Sequence, residues 1–201
     1  MGRRIFDHDY LIRSELDEYL WGSIWFGADP NLPVDSVLDV GCGDQPYKDW
    51  FKGCNYIPVD YHSGDIFVNG ENLPIKSESI DLFFSTQVLE HVSDPQRFVD
   101  EAYRVLKPDG YAVISTHGTY PIHADPDYWR WTEQGLRDLF AGWDIEIYPV
   151  GSYWKTIWQL AVLAVNATPF KSLIPIMNIL GSLDIDKSER LPLAYVVVGG
   201  K

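Results

Sequence analysis

The chain has 201 residues, room for one domain with a sizeable core. It carries 16 Lys and Arg against 29 Asp and Glu, a formal charge of −13, and the basic residues are scattered, which argues against a nucleic-acid partner. Two cysteines, Cys42 and Cys54, make neither a disulfide framework nor a zinc-binding pattern, and residues 1–8 lack the long apolar core of a secretory signal, so a reducing cytoplasm is expected.

Leu11, Leu16, Leu20 and Ile24 recur at near-helical spacing and predict a helix over 8–27, broken by Asp29-Pro30-Asn31-Leu32-Pro33. Strands and helices then alternate. Residues 37–40 read as a buried strand, 46–52 as a short helix, 56–60 as a second strand and 65–68 as a short third. The nearly all-apolar run 80–85 reads as a fourth strand, covered on both faces. Asp94-Pro95 starts a helix through Leu106, because proline at the first helical position gives up no needed donor. Its expected buried stripe is Val99, Ala102, Tyr103 and Leu106, and Lys107-Pro108-Asp109-Gly110 ends it. A fifth strand is expected at 111–115, a helix at 132–140, and the last strands at 143–150 and 193–198. This alternation argues for one α/β domain with a largely parallel sheet and right-handed crossovers.

Residues 153–183 interrupt the rhythm with two apolar helical stretches. Neither reaches the roughly 20 apolar residues that span a bilayer, and Asn166, Pro169 and Pro175 break the join. The segment reads as a helical cap over the sheet. A homodimer face, a lid for an apolar substrate, and peripheral contact with a membrane surface are the other uses open to it.

The segment Val37-Leu38-Asp39-Val40-Gly41-Cys42-Gly43-Asp44-Gln45 carries the most information. A strand that stops in a glycine turn brings bare backbone close to a ligand. Asp60 follows at about the distance where nucleotide folds place a ribose-binding acid. A dinucleotide fingerprint would need glycine at 46, where Pro46 stands, which disfavours NAD or FAD and an oxidoreductase reading. At the expected ends of the third and fourth strands stand Asn69 with Gly70, and Ser85-Thr86-Gln87-Val88. An amide at 69 suits an adenine amino group.

Four blocks then resemble one family in its order: 37–45; Val59-Asp60-Tyr61; Asn72-Leu73-Pro74-Ile75 with Ser79-Ile80-Asp81-Leu82; and Val88-Leu89-Glu90-His91-Val92 through Asp94-Pro95 to 104–110. Over roughly residues 36–116 the chain resembles the class I S-adenosylmethionine-dependent methyltransferases, closest to the type-11 methyltransferase domain family. The resemblance implies a Rossmann-like α/β fold, with a mostly parallel seven-stranded sheet, helices on both faces and a helical C-terminal insertion. It divides the single domain into an N-terminal helical cap (1–35), a cofactor-binding core (36–150), the apolar insertion (153–183) and a last strand (192–199). It implies S-adenosyl-L-methionine as cofactor. Asp39, Gly41 and Gly43 would hold its methionine part, Asp60 the ribose hydroxyls, Tyr61 and Asn69 with Gly70 the adenine, and Gln87 and Val88 the methionine end. Asn69 stands where the family usually has aspartate, and Gln45 stands at the third glycine position of the loop, where it would reach the cofactor carboxylate.

The implied reaction is methyl transfer by in-line displacement, which asks the protein for proximity, alignment and a dry cavity. The segment 116–131 follows the fifth strand on the ligand side and combines His, Asp, Tyr, Arg and Trp. Similar loops occur in type-11 relatives associated with sugar and cell-surface polymer pathways. The expected acceptor is therefore a small molecule, a hydroxyl or amine on a sugar-like or secondary metabolite, with His117, His123 and Asp125 as the expected catalytic groups. Trp129 and Trp131 read as sugar-stacking residues or as anchors of the following helix. His91 is expected to hydrogen-bond within its own turn, and no metal centre is expected. The rival from another class is a catalytically silent methyltransferase-like binding or scaffold protein.

Overall fold

The computed structural model describes residues 5, 7–26, 34–61, 64, 66–67, 70–183, 185, 188 and 190–201. Among these, seven strands form one sheet in the order β3-β2-β1-β4-β5-β7-β6. They are β1 (Ser36–Val40), β2 (Asn55–Asp60), β3 (Ile66–Phe67), β4 (Ile80–Thr86), β5 (Leu106–His117), β6 (Asp144–Val150) and β7 (Ala194–Gly200). The strands β3, β2, β1, β4 and β5 are mutually parallel, while β7 runs antiparallel between β5 and β6. The central pairing is β1 with β4, where Leu38 sits opposite Phe83 and Asp39 opposite Phe84.

The apolar runs make this a sheet buried on both faces, as parallel sheets must be. On one face Leu38, Val40, Phe83 and Ile114 meet Phe98, Val99 and Ala102 of α2 (Pro95–Val105) and Leu136 of α3 (Glu133–Leu139). On the other, Val37, Leu82, Phe84 and Val113 meet Ile12, Leu16, Leu20 and Ile24 of α1 (Tyr10–Phe26), with Tyr47 and Phe51 of a short 3-10 turn, Lys48–Phe51. The alternation of partners along β1 is the two-residue period of a strand.

Capping chemistry sets the helix starts. Asp94 accepts from the Arg97 N–H at 3.1 Å and Pro95 occupies the first turn of α2. Thr132 does the same for α3, accepting from the Gly135 N–H at 3.1 Å. Thr132→Ala is expected to lower stability by about 1 kcal/mol, read as a shift in urea midpoint at constant slope.

Three expectations are corrected. The stripe of α2 is Phe98, Val99, Ala102 and Val105, not one that includes Tyr103; Tyr103 is 40% exposed and packs its ring edge-on against Trp143. The helix stops one residue early, because Leu106 already pairs with Ile80 as a strand residue. The stretch 107–110 therefore lies inside β5 as an irregularity between two paired stretches, not as a loop before the strand. The short helix expected over 46–52 is the 3-10 turn alone.

The insertion folds as α4 (Tyr153–Asn166), a 3-10 turn (Lys171–Leu173) and α5 (Ile174–Gly181). It packs on α1, forming an outer layer over that helix rather than directly on the sheet. Two fully buried amides fasten it to the N-terminal segment. The Gln159 side chain accepts from the Ile12 N–H and donates to the His8 carbonyl, while Asn178 donates to the carbonyls of Ile5 and Asp7. Among the described residues no helix is long and apolar enough to cross a membrane.

Candidate functional site

In an open α/β sheet the ligand crevice lies beyond the carboxyl ends of the strands, where strand order reverses. Here that point falls between β1 and β4. A crevice of about 620 Å³ opens there, within the range of small-molecule pockets. One wall carries Val40, Gly41, Asp60, Tyr61, Gly70, Gln87 and Val88; the other carries His91, Ala124, Asp125, Pro126 and Tyr128.

Gly41 is required by its position. It adopts φ +76°, and a Cβ there would lie 2.1 Å from Cγ2 of Val88. Its N–H donates to the Val59 carbonyl at 2.7 Å, which docks the loop after β1 onto β2. The next glycine, Gly43, also has positive φ, and its N–H donates to Oδ2 of Asp60 at 3.0 Å. The carboxylate at the end of β2 is thus held by the glycine loop, at the rim of the crevice.

Gln87 directly follows β4. Its φ of +56° is unusual for a residue with a side chain and belongs to the class of strained positions that cluster at functional sites. The side-chain amide donates to Ser115 Oγ at 3.0 Å, and Oε1 is buried with no hydrogen-bond partner. Gln87 lines the crevice, and a ligand donor that reached this orphaned acceptor would satisfy it. Tyr61 is 70% exposed and lines the open end of the crevice.

Three expected cofactor residues do not form the wall. Asp39 is buried on the face opposite Val40, where it accepts a hydrogen bond from the Tyr56 hydroxyl at 2.5 Å. Burial drives its pKa up to about 7; the Asp60 charge adds to the rise and the Tyr56 bond opposes it. Gly43 and Gln45 lie in the loop behind Gly41, with Gln45 at φ +58° and its N–H bonded to the Cys42 carbonyl. Asn69 lies outside the described residues.

The expected catalytic residues are divided. Asp125 lines the crevice, and His117 and His123 do not. His117 ends β5, stacks flat on Tyr120 with ring centroids 4.2 Å apart, and meets His123 edge-on at 4.8 Å. Burial pushes the His117 pKa down to about 2, with the neighbouring His123, Arg130 and His91 adding to the fall. Arg130 grips both oxygens of Asp127 and donates to the carbonyls of Tyr120 and Pro121, so it fixes the shape of the loop.

His91 bonds within its own turn through its backbone, its N–H donating to the Val88 carbonyl, while its side chain bonds across to that loop. Its Nδ1 lies 2.7 Å from the Pro126 carbonyl. Trp129 and Trp131 stack on each other, and Trp129 Nε1–H donates to the Val92 carbonyl, so they serve as anchors. Glu90 was not singled out from sequence, yet it is fully buried beneath this loop. Its carbonyl accepts from the N–H groups of Tyr128 and Trp129, and its Oε2 accepts from the Thr116 hydroxyl. An acid after an apolar strand reads as solvated, and the only sequence signal was its place within Leu89-Glu90-His91-Val92.

Comparison with known proteins agrees with this architecture. Residues 38–114 match the family described as Methyltransferase domain. An uncharacterized methyltransferase of Mycobacterium sp. (strain KMS) is 33% identical over 108 residues, covering 46% of this chain and 43% of that protein. The chain spans about half the length of the curated relatives it matches. Among solved structures, a SAM dependent methyltransferase from Archaeoglobus fulgidus superposes with TM-score 0.59 at 16% identity, covering 97% of this chain and 95% of that one. The [4+2]-cyclase SpnF superposes with TM-score 0.59 at 18% identity, over 92% and 80% of the two chains. At such identities the superpositions speak for the fold. The matched segment is thus similar to the methyltransferase domain family, and the described residues share the fold of solved SAM-dependent methyltransferases.

Proposed function

We propose that this chain transfers a methyl group from S-adenosyl-L-methionine to a small-molecule acceptor, a hydroxyl or amine of a sugar-like or secondary metabolite. The observation that carries the reading is the crevice at the β1/β4 reversal, whose wall combines a side-chain-free Gly41, the Asp60 carboxylate and the orphaned Gln87 carbonyl oxygen. These features match what the cofactor offers: backbone approach beside the methionine part, a diol for the carboxylate, and an ammonium for the amide oxygen. When bound, S-adenosyl-L-methionine supplies an electrophilic methyl group on a sulfonium whose departure needs no acid.

The protein's share is alignment and exclusion of water. Gly41, Asp60, Tyr61, Gly70, Gln87 and Val88 would hold the cofactor. Asp39, Gly43 and Gln45 would act from behind, by shaping the loop. Asp125, with His123 and His117 behind it, would form the acceptor side. The sugar-like acceptor rests on the resemblance of the loop 116–131 to its relatives and on its polar lining.

Calorimetric titration with S-adenosyl-L-methionine and with NAD tests the cofactor. Heat with the first alone is expected, and heat with NAD alone would overturn the reading. Release of S-adenosylhomocysteine across a panel of sugar and small hydroxy and amino acceptors then tests transfer against silent binding. Replacing Asp125 and His123 together by alanine should slow turnover by about tenfold or more, while cofactor affinity stays within about twofold. Steady-state rates and calorimetry on the same preparation check both halves.

A further inference from the structure

We propose that Glu90, His117 and His123 form a site for one divalent transition-metal ion, zinc in type, that fastens the acceptor loop to the end of the sheet. The three residues come from three elements: the turn after β4, the last position of β5, and the loop beyond it. One ligand atom from each can be chosen so that all lie within 4.8 Å of one another.

Four observations point to a metal. Glu90 Oε1 and His117 Nε2 are 3.4 Å apart, the edge of a tetrahedron whose centre lies about 2.0–2.1 Å from each corner, which is the zinc bond length to nitrogen and carboxylate oxygen. Glu90 is fully buried, and its Oε1 has no hydrogen-bond partner. Buried polar atoms are rarely left so, and a cation bound at Oε1 would satisfy this one.

The outer shell is the third observation. His123 Nδ1 lies 3.1 Å from Oδ2 of Asp127, which holds the proton on Nδ1 and leaves Nε2 a free lone pair. Asp127 is itself gripped by Arg130, so the carboxylate–histidine pair that commonly orients a metal-bound imidazole stands ready. His91 is set the same way: its Nδ1 faces the Pro126 carbonyl, and its Nε2 lies 3.9 Å from Glu90 Oε1, within reach as a fourth donor.

The donor set decides the ion. Two or three imidazoles with one carboxylate suit zinc and its first-row neighbours, whereas calcium and magnesium take oxygen-only shells. His123 is exposed on the outer loop, so its side chain supplies the movement that brings the three donors onto one ion. The site adjoins the crevice and shares His117 and His123 with the proposed acceptor side, but it uses none of the residues assigned to the cofactor, so it stands or falls separately from cofactor binding.

The test uses the untagged full chain, stripped with a chelator and dialysed against Zn(II) at neutral pH. Elemental analysis should find one ion per chain, and Co(II) substitution should give the absorption bands of a tetrahedral nitrogen–oxygen site. His123→Ala, a change at an exposed position, should weaken Zn(II) about 100-fold or more in competition with a chromophoric chelator. Asp127→Asn should weaken it about 10- to 100-fold, and His8→Ala should leave it unchanged. No retained zinc, equal retention by His123→Ala, or loss in His8→Ala overturns the proposal. Calorimetry with S-adenosyl-L-methionine on each variant keeps a failure here distinct from a failure of the cofactor reading.

Discussion

Replacing Asp60 by alanine is expected to weaken binding of S-adenosyl-L-methionine by about 2–4 kcal/mol, or roughly 30- to 900-fold in dissociation constant. On the proposed reading the carboxylate makes charge-assisted hydrogen bonds to a ribose diol, and one such bond alone contributes about 1.5–3 kcal/mol. The side chain stands at the end of β2, half-buried, on the crevice wall and bonded to the Gly43 N–H. Its loss therefore removes the diol partner and also releases the glycine loop. Asp60→Asn separates the two, because its amide oxygen still accepts from Gly43 while the charge is gone; an intermediate loss is expected. Isothermal titration of the three proteins reads the effect, and circular dichroism confirms that each is folded. Unchanged affinity in Asp60→Ala would remove this carboxylate from the site.

The parts of the fold that were legible in sequence are those written in local chemistry. The central strands β1 and β4 are largely apolar runs, because burial on both faces leaves them little polar side. The run Ile80–Thr86 became a central strand for that reason. Asp94-Pro95 announced α2 because a cap and a proline satisfy or dispense with the first orphan donors. The glycine loop was legible since Gly41 alone fits beside Val88 at positive φ. What escaped is what depends on packing between distant segments. Tyr103 was expected inside on spacing, yet the helix turns Phe98 and Val105 inward and leaves Tyr103 to Trp143. The insertion's seat on α1 follows from Gln159 and Asn178 reaching the N-terminal carbonyls, a contact no periodicity encodes.

The same reason explains the acceptor side. His117 and His123 were singled out as bases because they share a loop with acids and aromatics. The fold instead buries His117 and brings Glu90 beneath both. These three positions are separated by at least five residues in sequence and are brought together by the parallel pairing of β4 with β5 and by the loop's bonds to the Glu90 and His117 carbonyls. Thr116 on β5 reaches the Glu90 carboxylate because that pairing runs in register up to Thr86 and Ser115. A reading that weighed each residue by its neighbours in the chain had no access to that juxtaposition.

The second large effect concerns Asp39, the acid that ends the first strand's apolar run. In the folded chain burial, with the Asp60 charge adding to it, raises its pKa from the ordinary 3.8 to about 7, although the Tyr56 hydroxyl donates to it. The unfolded chain gives up this proton near pH 4, and the folded chain keeps it until near pH 7. Between those values folding takes up a proton, so stability falls as pH rises, and above about pH 7 the loss is complete and constant. A rise of this size corresponds to a loss of up to about 4 kcal/mol. Asp39→Asn has no proton to lose and keeps the oxygen that accepts from Tyr56. Urea unfolding of both proteins from pH 4 to pH 8 should therefore show Asp39→Asn gaining on the parent with rising pH, by about 2–4 kcal/mol at pH 8 relative to pH 4. Adding Asp60→Ala to the parent should shrink that gap, since one of the charges holding Asp39 protonated is gone. Parallel pH profiles for the parent and Asp39→Asn would show instead that the carboxylate ionises as readily inside the fold as in water.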